Sequence, residues 1–307
     1  MPKENLKIQI PASSSNLGPG FDCFGLALTI HNEYDIEFID SYDEFEINSN
    51  LKDEFCPNNK ENLFYKAFQI LFRKEGFNKI PSIKVELNAQ IPCSGGFGSS
   101  GTAVLGGLVA ANNFLECKYE ESELLKEACL IEKHPDNVCA SLLGGFCLSS
   151  FEDEKLISKK IDWQLEEVDI LMLYPLDFRV NTDEARKILK ENHPIKSSVS
   201  NLSNSAFFTA AVLTEDLELL KESIKDKIHE QERLQLIPGA SEIISMAKEQ
   251  SAIGATISGS GASLIVFLDS KSNLDIIKDK AKEIWAKNKL ESESILCKVS
   301  NSGALIY

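Results

Sequence analysis

The sequence predicts an α+β fold, and three observations lead to that prediction. The chain has 307 residues, of which 43% are hydrophobic, so it can bury the core of one large domain or two medium domains. Segments in which apolar residues alternate, which is typical of strands, are mixed with segments of helical apolar spacing. The two kinds of segment do not follow the regular strand–helix–strand order that a doubly wound parallel sheet requires.

The first half of the chain opens with a strand. Leu6, Ile8 and Ile10 alternate with polar residues, and a loop at 11–22, rich in glycine, proline and serine, follows directly. Apolar spacing in the rest of this half predicts three strands and three helices. The strands are at 34–39, 83–87 and 143–149, and the helices are at 62–72, 99–115 and 121–131.

A strongly polar segment at 151–160 separates the two halves, as a linker or a hairpin. It divides the chain into a predicted first domain at 1–155 and a predicted second domain at 156–307. Apolar spacing in the second half predicts three strands and four helices. The strands are at 169–174, 252–257 and 263–268, and the helices are at 183–190, 201–213, 241–248 and 274–287.

Composition and charge exclude several kinds of partner. A net charge of −15 argues against a nucleic acid or an anionic membrane surface, because both bind basic surfaces. The uncharged stretch at 87–115 is broken by Pro92 and several glycines, so its apolar part is too short to span a membrane, and no apolar signal region is apparent at the start. Eight cysteines without a Cys-x-x-Cys pair predict free thiols in the cytoplasm.

A glycine–serine loop precedes the predicted helix at 99–115. Its glycines let consecutive backbone amides surround an anion, and the positive end of the helix points to the same place. The loop lacks the lysine of a Walker A motif, and it is not the G-x-G-x-x-G of a dinucleotide site. By itself it is either a phosphate site or an ordinary turn. Its residues are Pro92, Cys93, Ser94, Gly95, Gly96, Phe97, Gly98, Ser99, Ser100, Gly101 and Thr102.

Two other turn-rich segments allow both a functional and a structural interpretation. Asn16 and Asp22 lie in the loop at 11–22, where their side chains serve either a binding site or local turn hydrogen bonds. A second glycine-rich loop joins the predicted strands at 252–257 and 263–268, and it is either a phosphate site or a hairpin turn. The residues of that loop are Ser258, Gly259, Ser260 and Gly261.

The segment around Pro135 places polar side chains between apolar ones. His134, Asp136 and Asn137 would be unfavourable if buried without partners, so they either face a substrate or cap a helix. Glu132 is either a Mg²⁺ ligand, since Mg²⁺ prefers carboxylate oxygens, or a surface glutamate.

Arginine is scarce in the chain, and its guanidinium binds carboxylate or phosphate through two parallel hydrogen bonds. Arg186 and Arg233 are therefore candidates for anion binding, although each is also compatible with an ordinary surface position. For Arg179 we keep the surface interpretation.

Together, these segments resemble the GHMP kinase superfamily. Its three motifs are matched over nearly the whole chain, at 11–22, 92–101 and 254–261. Within the superfamily, four segments are similar to the homoserine kinase branch, at 16–22, 134–145, 182–186 and 229–239. The sequence departs from the usual pattern at Phe97, Gly101, Lys133 and Ala262.

The resemblance implies a two-domain GHMP kinase fold. Its N-terminal domain would be ribosomal-S5-domain-2-like, its C-terminal domain ferredoxin-like, and its active site would lie in the inter-domain cleft. The implied reaction transfers the γ-phosphoryl group of ATP to the side-chain hydroxyl of L-homoserine, in threonine biosynthesis. ATP and Mg²⁺ are the implied cofactors, and family habit implies a homodimer.

The resemblance also assigns roles by motif position. Asn62 would contact the nucleotide base, the two glycine-rich loops would hold the phosphates, and Ser100 with Glu132 would bind Mg²⁺. Asn137 would orient the attacking hydroxyl, and because an amide accepts no proton, the reaction would proceed without a strong base. The residues implied to bind the amino acid are Asn16, Asp22, His134, Asp136, Arg186 and Arg233.

Three alternatives remain open at this level. The first is a related kinase for another hydroxylated acceptor, such as shikimate or mevalonate. The second is an inactive sensor that still binds ligands, although Glu132 and Asn137 argue against it. The third is an unrelated α+β binding protein.

Overall fold

The computed structural model describes residues 5–52, 54–93 and 95–307. Within these residues, eleven strands form one sheet of seven strands and one of four. The strands are β1 (Leu6–Asn16), β2 (Gly20–Tyr42), β3 (Phe45–Ser49), β4 (Pro81–Ala89), β5 (Phe146–Glu152), β6 (Lys155–Ile161), β7 (Asp169–Pro175), β8 (Gly254–Ile257), β9 (Leu264–Leu268), β10 (Ser292–Cys297) and β11 (Leu305–Ile306).

Ten α-helices lie in the same described residues, with a short 3₁₀ turn (Leu234–Leu236) between α8 and α9. None of these helices is long and apolar enough to cross a membrane. The helices are α1 (Leu63–Lys74), α2 (Ser99–Phe114), α3 (Glu121–Glu132), α4 (Asp136–Leu143), α5 (Thr182–Lys187), α6 (Ile195–Thr214), α7 (Leu217–Ser223), α8 (Glu230–Arg233), α9 (Ala240–Glu249) and α10 (Leu274–Lys287).

The seven-stranded sheet is organised around the long strand β2. Strands β11, β1, β2, β4 and β3 lie side by side in that order, and β5 pairs with the beginning of β2 and carries β6 on its other side. Side chains on one face of the sheet, such as Ile8 and Val85, pack with helical residues such as Phe68 and Leu108 in one core. The strands alternate buried and less buried residues because only one face covers that core.

The four-stranded sheet is antiparallel throughout, in the order β10, β7, β9, β8. Helices α9 and α10 cover one of its faces, where Trp285 is fully buried. Residues of β7 and β9, such as Ile170 and Phe267, pack with Phe24 and Phe146 of the first sheet in a shared core. The two sheets are therefore joined by packed side chains, and this fixes the loops at their ends relative to one another.

Every strand and helix predicted from the apolar pattern is present, most of them with shifted ends. The polar segment at 151–160 is the hairpin of β5 and β6. The loop predicted at 11–22 is shorter than expected, because β1 and β2 remain paired past two register shifts, as far as Asn16 and Gly20. Short or polar elements were missed, and these are β3, β10, β11, α4, α7 and α8.

The division into domains at residue 155 stays a prediction. Strand β6 begins at Lys155 and pairs with β5, inside the first sheet. The chain also returns to that sheet near its end, where β11 pairs with β1.

Candidate active site

Three glycine- and serine-rich segments meet in one cleft. The hydroxyl of Ser258, in the loop between β8 and β9, donates a hydrogen bond to the carbonyl of Gly96, in the loop before α2. The backbone amide of Gly259 donates to the carbonyl of Ser15, near the turn between β1 and β2, at 3.1 Å. These bonds join segments from both sheets that are far apart in sequence.

The loop before α2 requires glycine where it passes closest to the other segments. Gly98 has φ of +67°, and a Cβ atom there would lie 2.3 Å from Ser13 Oγ and 3.0 Å from Asn137 Oδ1. Helix α2 begins at the next residue, so its first amides have no acceptor within the helix. Gly98, Ser99 and Ser100 line the cleft, and the start of a helix attracts anions.

Asn137 is held in one orientation by hydrogen bonds at both ends of its side-chain amide. Its Oδ1 accepts from Ser13 Oγ at 3.0 Å, and its Nδ2 donates to Ser15 Oγ at 2.9 Å. Ser13 in turn accepts a hydrogen bond from Ser141, further along α4, at 3.0 Å. Sequence alone showed none of these partners, because β1 and α4 are more than a hundred residues apart.

Asp136 begins helix α4 and is only 2% exposed. Its Oδ1 accepts from the backbone amide of Asn137 at 2.7 Å and lies 3.2 Å from Nδ1 of His134. Burial acts to lower the pKa of His134, but the contacts with Asp136 and the nearby charge of Glu132 together outweigh burial and raise that pKa above its ordinary value. The wall of the cleft therefore carries a buried carboxylate next to an imidazole that favours its charged form.

Asp22 and Arg186 form an ion pair between the two halves of the chain. The guanidinium donates from Nη1 to Oδ2 and from Nη2 to Oδ1, each at 2.8 Å. The hydrogen bonds to Asp22 raise the pKa of Arg186. Asn16 holds the backbone of Asp22, because its Oδ1 accepts from the Asp22 amide at 3.0 Å. Both partners of the pair line the same cavity.

Arg233 is a buried cation, 2% exposed, on the wall of that cavity. It donates to the carbonyls of Gly259, at 3.2 Å, and Ala185, at 3.4 Å. The ion pairs among the described residues do not include Arg233, although they include its neighbour Arg186. Burial lowers the pKa of Arg233 to about 10, and the nearby charge of Asp22 only partly opposes this. A desolvated guanidinium without a carboxylate is well suited to bind an anionic group in the cavity.

Two cavities meet at Ser99 and Ser100, which line both. The first, of about 140 Å³, has mostly polar walls and contains the arginines and Asp136. The second, of about 310 Å³, has largely apolar walls that include Tyr34, Phe64 and Ala103. The first turn of α2 thus lies between a cavity with mostly polar walls and one with largely apolar walls.

The oxygens of Glu132 and Ser100 lie together at the start of α2. Ser100 Oγ donates to Glu132 Oε2 at 2.9 Å. Burial raises the pKa of Glu132, and the hydrogen bond from Ser100 opposes that rise. Among the described residues there is no group of three or more His, Cys, Asp or Glu side chains that could hold a metal ion.

The structure brings together the residues that the resemblance assigned to the amino acid. All of them line the first cavity with Asn137, and they are Asn16, Asp22, His134, Asp136, Arg186 and Arg233. Of the residues assigned to the nucleotide, five line the first cavity without lining the second, namely Gly95, Gly96, Gly98, Gly259 and Ser260. Asn62, Cys93, Ser99 and Ser100 line the second cavity.

Other residues assigned to the nucleotide lie behind the cavity walls. The ring of Phe97 packs edge-on against Tyr174, with 5.2 Å between ring centres, in the shared core. The hydroxyl of Thr102 donates to the Ser99 carbonyl at 2.9 Å. Pro92, Gly101, Ser258 and Gly261 also lie outside the lining of both cavities. Ser94 lies outside the described residues. Direct contact of these residues with a nucleotide stays a prediction.

Asn62 has a structural role that the sequence did not reveal. It caps helix α1, where its Oδ1 accepts from the Phe64 amide at 2.9 Å and its Nδ2 donates to the Pro57 carbonyl at 3.0 Å. Its contact with a base also stays a prediction.

Phe21 is one of the residues around the site that sequence reasoning missed. Its ring lies under both arginines, 4.9 Å from the guanidinium carbon of Arg233 and 5.6 Å from that of Arg186. It stacks on the ring of His229, with 5.0 Å between ring centres. The available signal was an aromatic residue directly after the Gly18–Gly20 turn and next to Asp22.

Comparisons with known proteins agree with this fold. Residues 62–145 match the family model described as GHMP kinases N terminal domain, and residues 208–287 match that of GHMP kinases C terminal. The crystal structure of the Methanococcus jannaschii mevalonate kinase has the same fold, with a TM-score of 0.70 over 96% of this chain and 98% of that chain, at 16% identity. Fold and cleft together define a GHMP kinase.

Relatives with higher sequence identity show which family of GHMP kinases the chain belongs to. The homoserine kinase of Clostridium beijerinckii is 36% identical over 302 residues, 98% of both chains. That of Aquifex aeolicus is 33% identical over 98% of this chain and 99% of its own. The crystal structure of homoserine kinase from Cytophaga hutchinsonii has a TM-score of 0.86 and 27% identity over 99% of this chain and 98% of that chain. The chain belongs to the homoserine kinase family.

Proposed function

We propose that this chain transfers the γ-phosphoryl group of ATP to the side-chain hydroxyl of L-homoserine, giving O-phospho-L-homoserine. The observation that supports an amino-acid acceptor is Arg233, a buried guanidinium on the cavity wall whose hydrogen-bond acceptors are backbone carbonyls. Burying such a cation is unfavourable unless an anion completes the site. The α-carboxylate of an amino acid is an anion of the right kind, and it forms two parallel bonds with a guanidinium.

The cavity also offers partners for the α-ammonium group. Asp22 pairs with Arg186, and a bound zwitterion would replace that pair with new ones. The α-carboxylate forms ion pairs with Arg186 and Arg233, and the α-ammonium group forms one with Asp22 or Asp136. Arg186 keeps a partner of opposite charge in this exchange and Arg233 gains one, which offsets the desolvation of the amino acid.

The nucleotide occupies the second cavity and the loop before α2. The apolar walls suit the base, with Asn62 at their edge. Amides at the start of α2 and in the glycine loop suit the phosphates, whose charge this acidic chain must balance locally.

Ser100 and Glu132 would hold Mg²⁺. Their oxygens are the hard ligands that Mg²⁺ takes, and Mg²⁺ commonly uses one or two protein ligands together with substrate phosphates. The ion would neutralise charge on the phosphates during transfer.

Asn137 orients the attacking hydroxyl, while the transfer itself needs positioning and charge stabilisation more than a base. In the cell, we expect the reaction to serve threonine biosynthesis in the cytoplasm. A homodimer remains an expectation from the family.

The test is ADP release with two acceptors, L-homoserine and L-homoserinol, in which a hydroxymethyl group replaces the carboxylate. We expect kcat/KM to favour L-homoserine by about 10- to 100-fold, the range of a hydrogen-bonded ion pair. In Arg233→Met that preference should fall by about tenfold, because only Arg186 then remains to bind the carboxylate.

Arg186→Met should also lower the preference for L-homoserine over L-homoserinol. It replaces Arg233→Met in the test if that variant does not fold. An unchanged preference in both variants contradicts the assignment of the carboxylate. A wild-type preference for shikimate or mevalonate over L-homoserine contradicts the proposed function itself.

A further inference from the structure

The loop before α2 contains no lysine or arginine, yet ATP brings several negative charges to it. Among the described residues that line the second cavity, Arg179 is the cation, and the sequence suggested that this residue was merely on the surface. We propose that Arg179 binds the polyphosphate of the nucleotide and that Phe55 holds its guanidinium in position. This inference rests on the proposed function, because it concerns the nucleotide of the same reaction.

The position of Arg179 supports this role. It lies between β7 and α5, in the half of the chain that carries the second sheet, and it lines the second cavity with Cys93, Ser99 and Ser100. Burial raises the pKa of the Cys93 thiol, and the positive charge of Arg179 opposes that rise. The guanidinium is therefore close enough to the glycine loop to act on it electrostatically.

Phe55 keeps the guanidinium over the cavity. The guanidinium carbon of Arg179 lies over the Phe55 ring, 3.6 Å from its centre. Phe55 belongs to the segment between β3 and α1, in the other half of the chain. The pair therefore bridges the cleft, and stacking leaves the edge of the planar guanidinium available for hydrogen bonds.

The charges around this cavity favour an anionic ligand at Arg179. Of the described lining residues, Arg179 is the cation, and the acids are Glu54 and Glu61. Glu61 is paired with Lys66 at 2.6 Å, and the ion pairs of the described residues do not include Arg179. A guanidinium that stacks on a ring but has no carboxylate partner keeps its bidentate edge for phosphate oxygens.

The test measures binding of ADP and of adenosine by calorimetry, in the wild type and in variants of the pair. In Arg179→Ala, ADP should bind about 10- to 100-fold more weakly, and adenosine should bind within about twofold of the wild type. Arg179→Lys should recover part of the ADP affinity, because it keeps the charge but not the planar edge. Phe55→Leu should weaken ADP binding by about two- to fivefold, the size of an exposed cation–π contact.

Arg73→Ala is the matched control. Arg73 is exposed in the last turn of α1, the end of that helix opposite to Asn62, so its loss changes the net charge equally without touching the cavity. Unchanged ADP affinity in Arg179→Ala overturns the inference, as does an equal loss for adenosine, which would show contact with the base instead. L-Homoserine turnover by the wild type is assayed separately, so failure of the proposed function is distinguishable from failure of this inference.

Discussion

At the scale of single residues, the amide of Asn137 shows how the cleft holds a group that takes no proton. Its Nδ2 donates to Ser15 Oγ at 2.9 Å and to Asp136 Oδ1 at 3.3 Å, so both N–H groups have acceptors in the wall. Its Oδ1 accepts from Ser13 and has a second lone pair. In the proposed reaction, that lone pair is where the hydroxyl of the acceptor donates its hydrogen bond.

Asn137→Ala should lower kcat by about 10- to 100-fold through loss of orientation, while KM for ATP stays within about twofold. Steady-state kinetics with L-homoserine measure both quantities. Ser141→Ala is the control, because it removes the bond to Ser13 Oγ at 3.0 Å without removing the amide, and we expect its kcat to fall less than about threefold. An undiminished kcat in Asn137→Ala would show that the hydroxyl is oriented by another group.

At the scale of elements, α2 must lie deep in the first core for its N-terminus to face the cleft. Its residues are small and apolar, and α1 packs against it. A Cβ atom at Gly107 would lie 2.1 Å from the carbonyl oxygen of Phe64, in α1. The glycine therefore permits backbone contact between the two helices, at a cost in helix propensity of about 1 kcal/mol.

Gly107→Ala should destabilise the protein by about 1–3 kcal/mol, because the added methyl group forces the helices apart despite the gain in propensity. Urea unfolding monitored by circular dichroism measures the change in the free energy of unfolding. Gly101→Ala in the same helix is the matched control, since the nearest atom to its Cβ would be a Val138 methyl at 3.3 Å. Equal stability of the two variants would contradict this account of the packing.

At the scale of the whole molecule, the second half carries a partly buried acid whose ionisation opposes folding. Glu230, at the start of α8, accepts from the hydroxyl of Thr256 at 2.6 Å and from the amide of Ile257 at 3.3 Å. Burial raises the pKa of Glu230 above 4.5, and these bonds only partly oppose the rise. A carboxyl with a raised pKa in the folded state stabilises the fold fully below its unfolded pKa, and this contribution is lost as pH rises.

Glu230→Gln should therefore gain stability relative to the wild type as pH rises from about 4.5 through the raised pKa. Unfolding by urea at a series of pH values measures the difference. Glu242→Gln, at an exposed position of α9, controls for the loss of one negative charge. A difference between Glu230→Gln and the wild type that does not vary with pH would contradict the prediction.

Much of the fold could be predicted from the sequence, because apolar spacing reflects burial directly. It predicted the helices from α1 to α3 and the strands β7 and β9, whose residues face cores. It missed β3 and β10, whose alternation is short or interrupted by polar residues. It also treated 11–22 as a loop, because pairing across register shifts leaves no regular pattern in the sequence.

For the candidate site, the sequence predicted many of the residues but few of the contacts between them. Motif resemblance selected the residues around the first cavity, but it could not show that Asp22 and Arg186 pair with each other or that Arg233 lacks a carboxylate partner among the described residues. It could not find Phe21, whose contacts are with His229 and the arginines. Such contacts join segments that are distant in sequence, so local sequence patterns do not predict them.

By itself, then, the sequence determined the mixed fold class, the family resemblance and the glycine–serine loop before α2, because these depend on local spacing and residue type. Only the tertiary structure decided which polar groups in that loop face a cavity and how the two halves share a core. It also decided that Arg179 lines the second cavity with its guanidinium over the ring of Phe55. The physical reason is that burial and charge pairing depend on three-dimensional neighbours, which the packing of both sheets brings together.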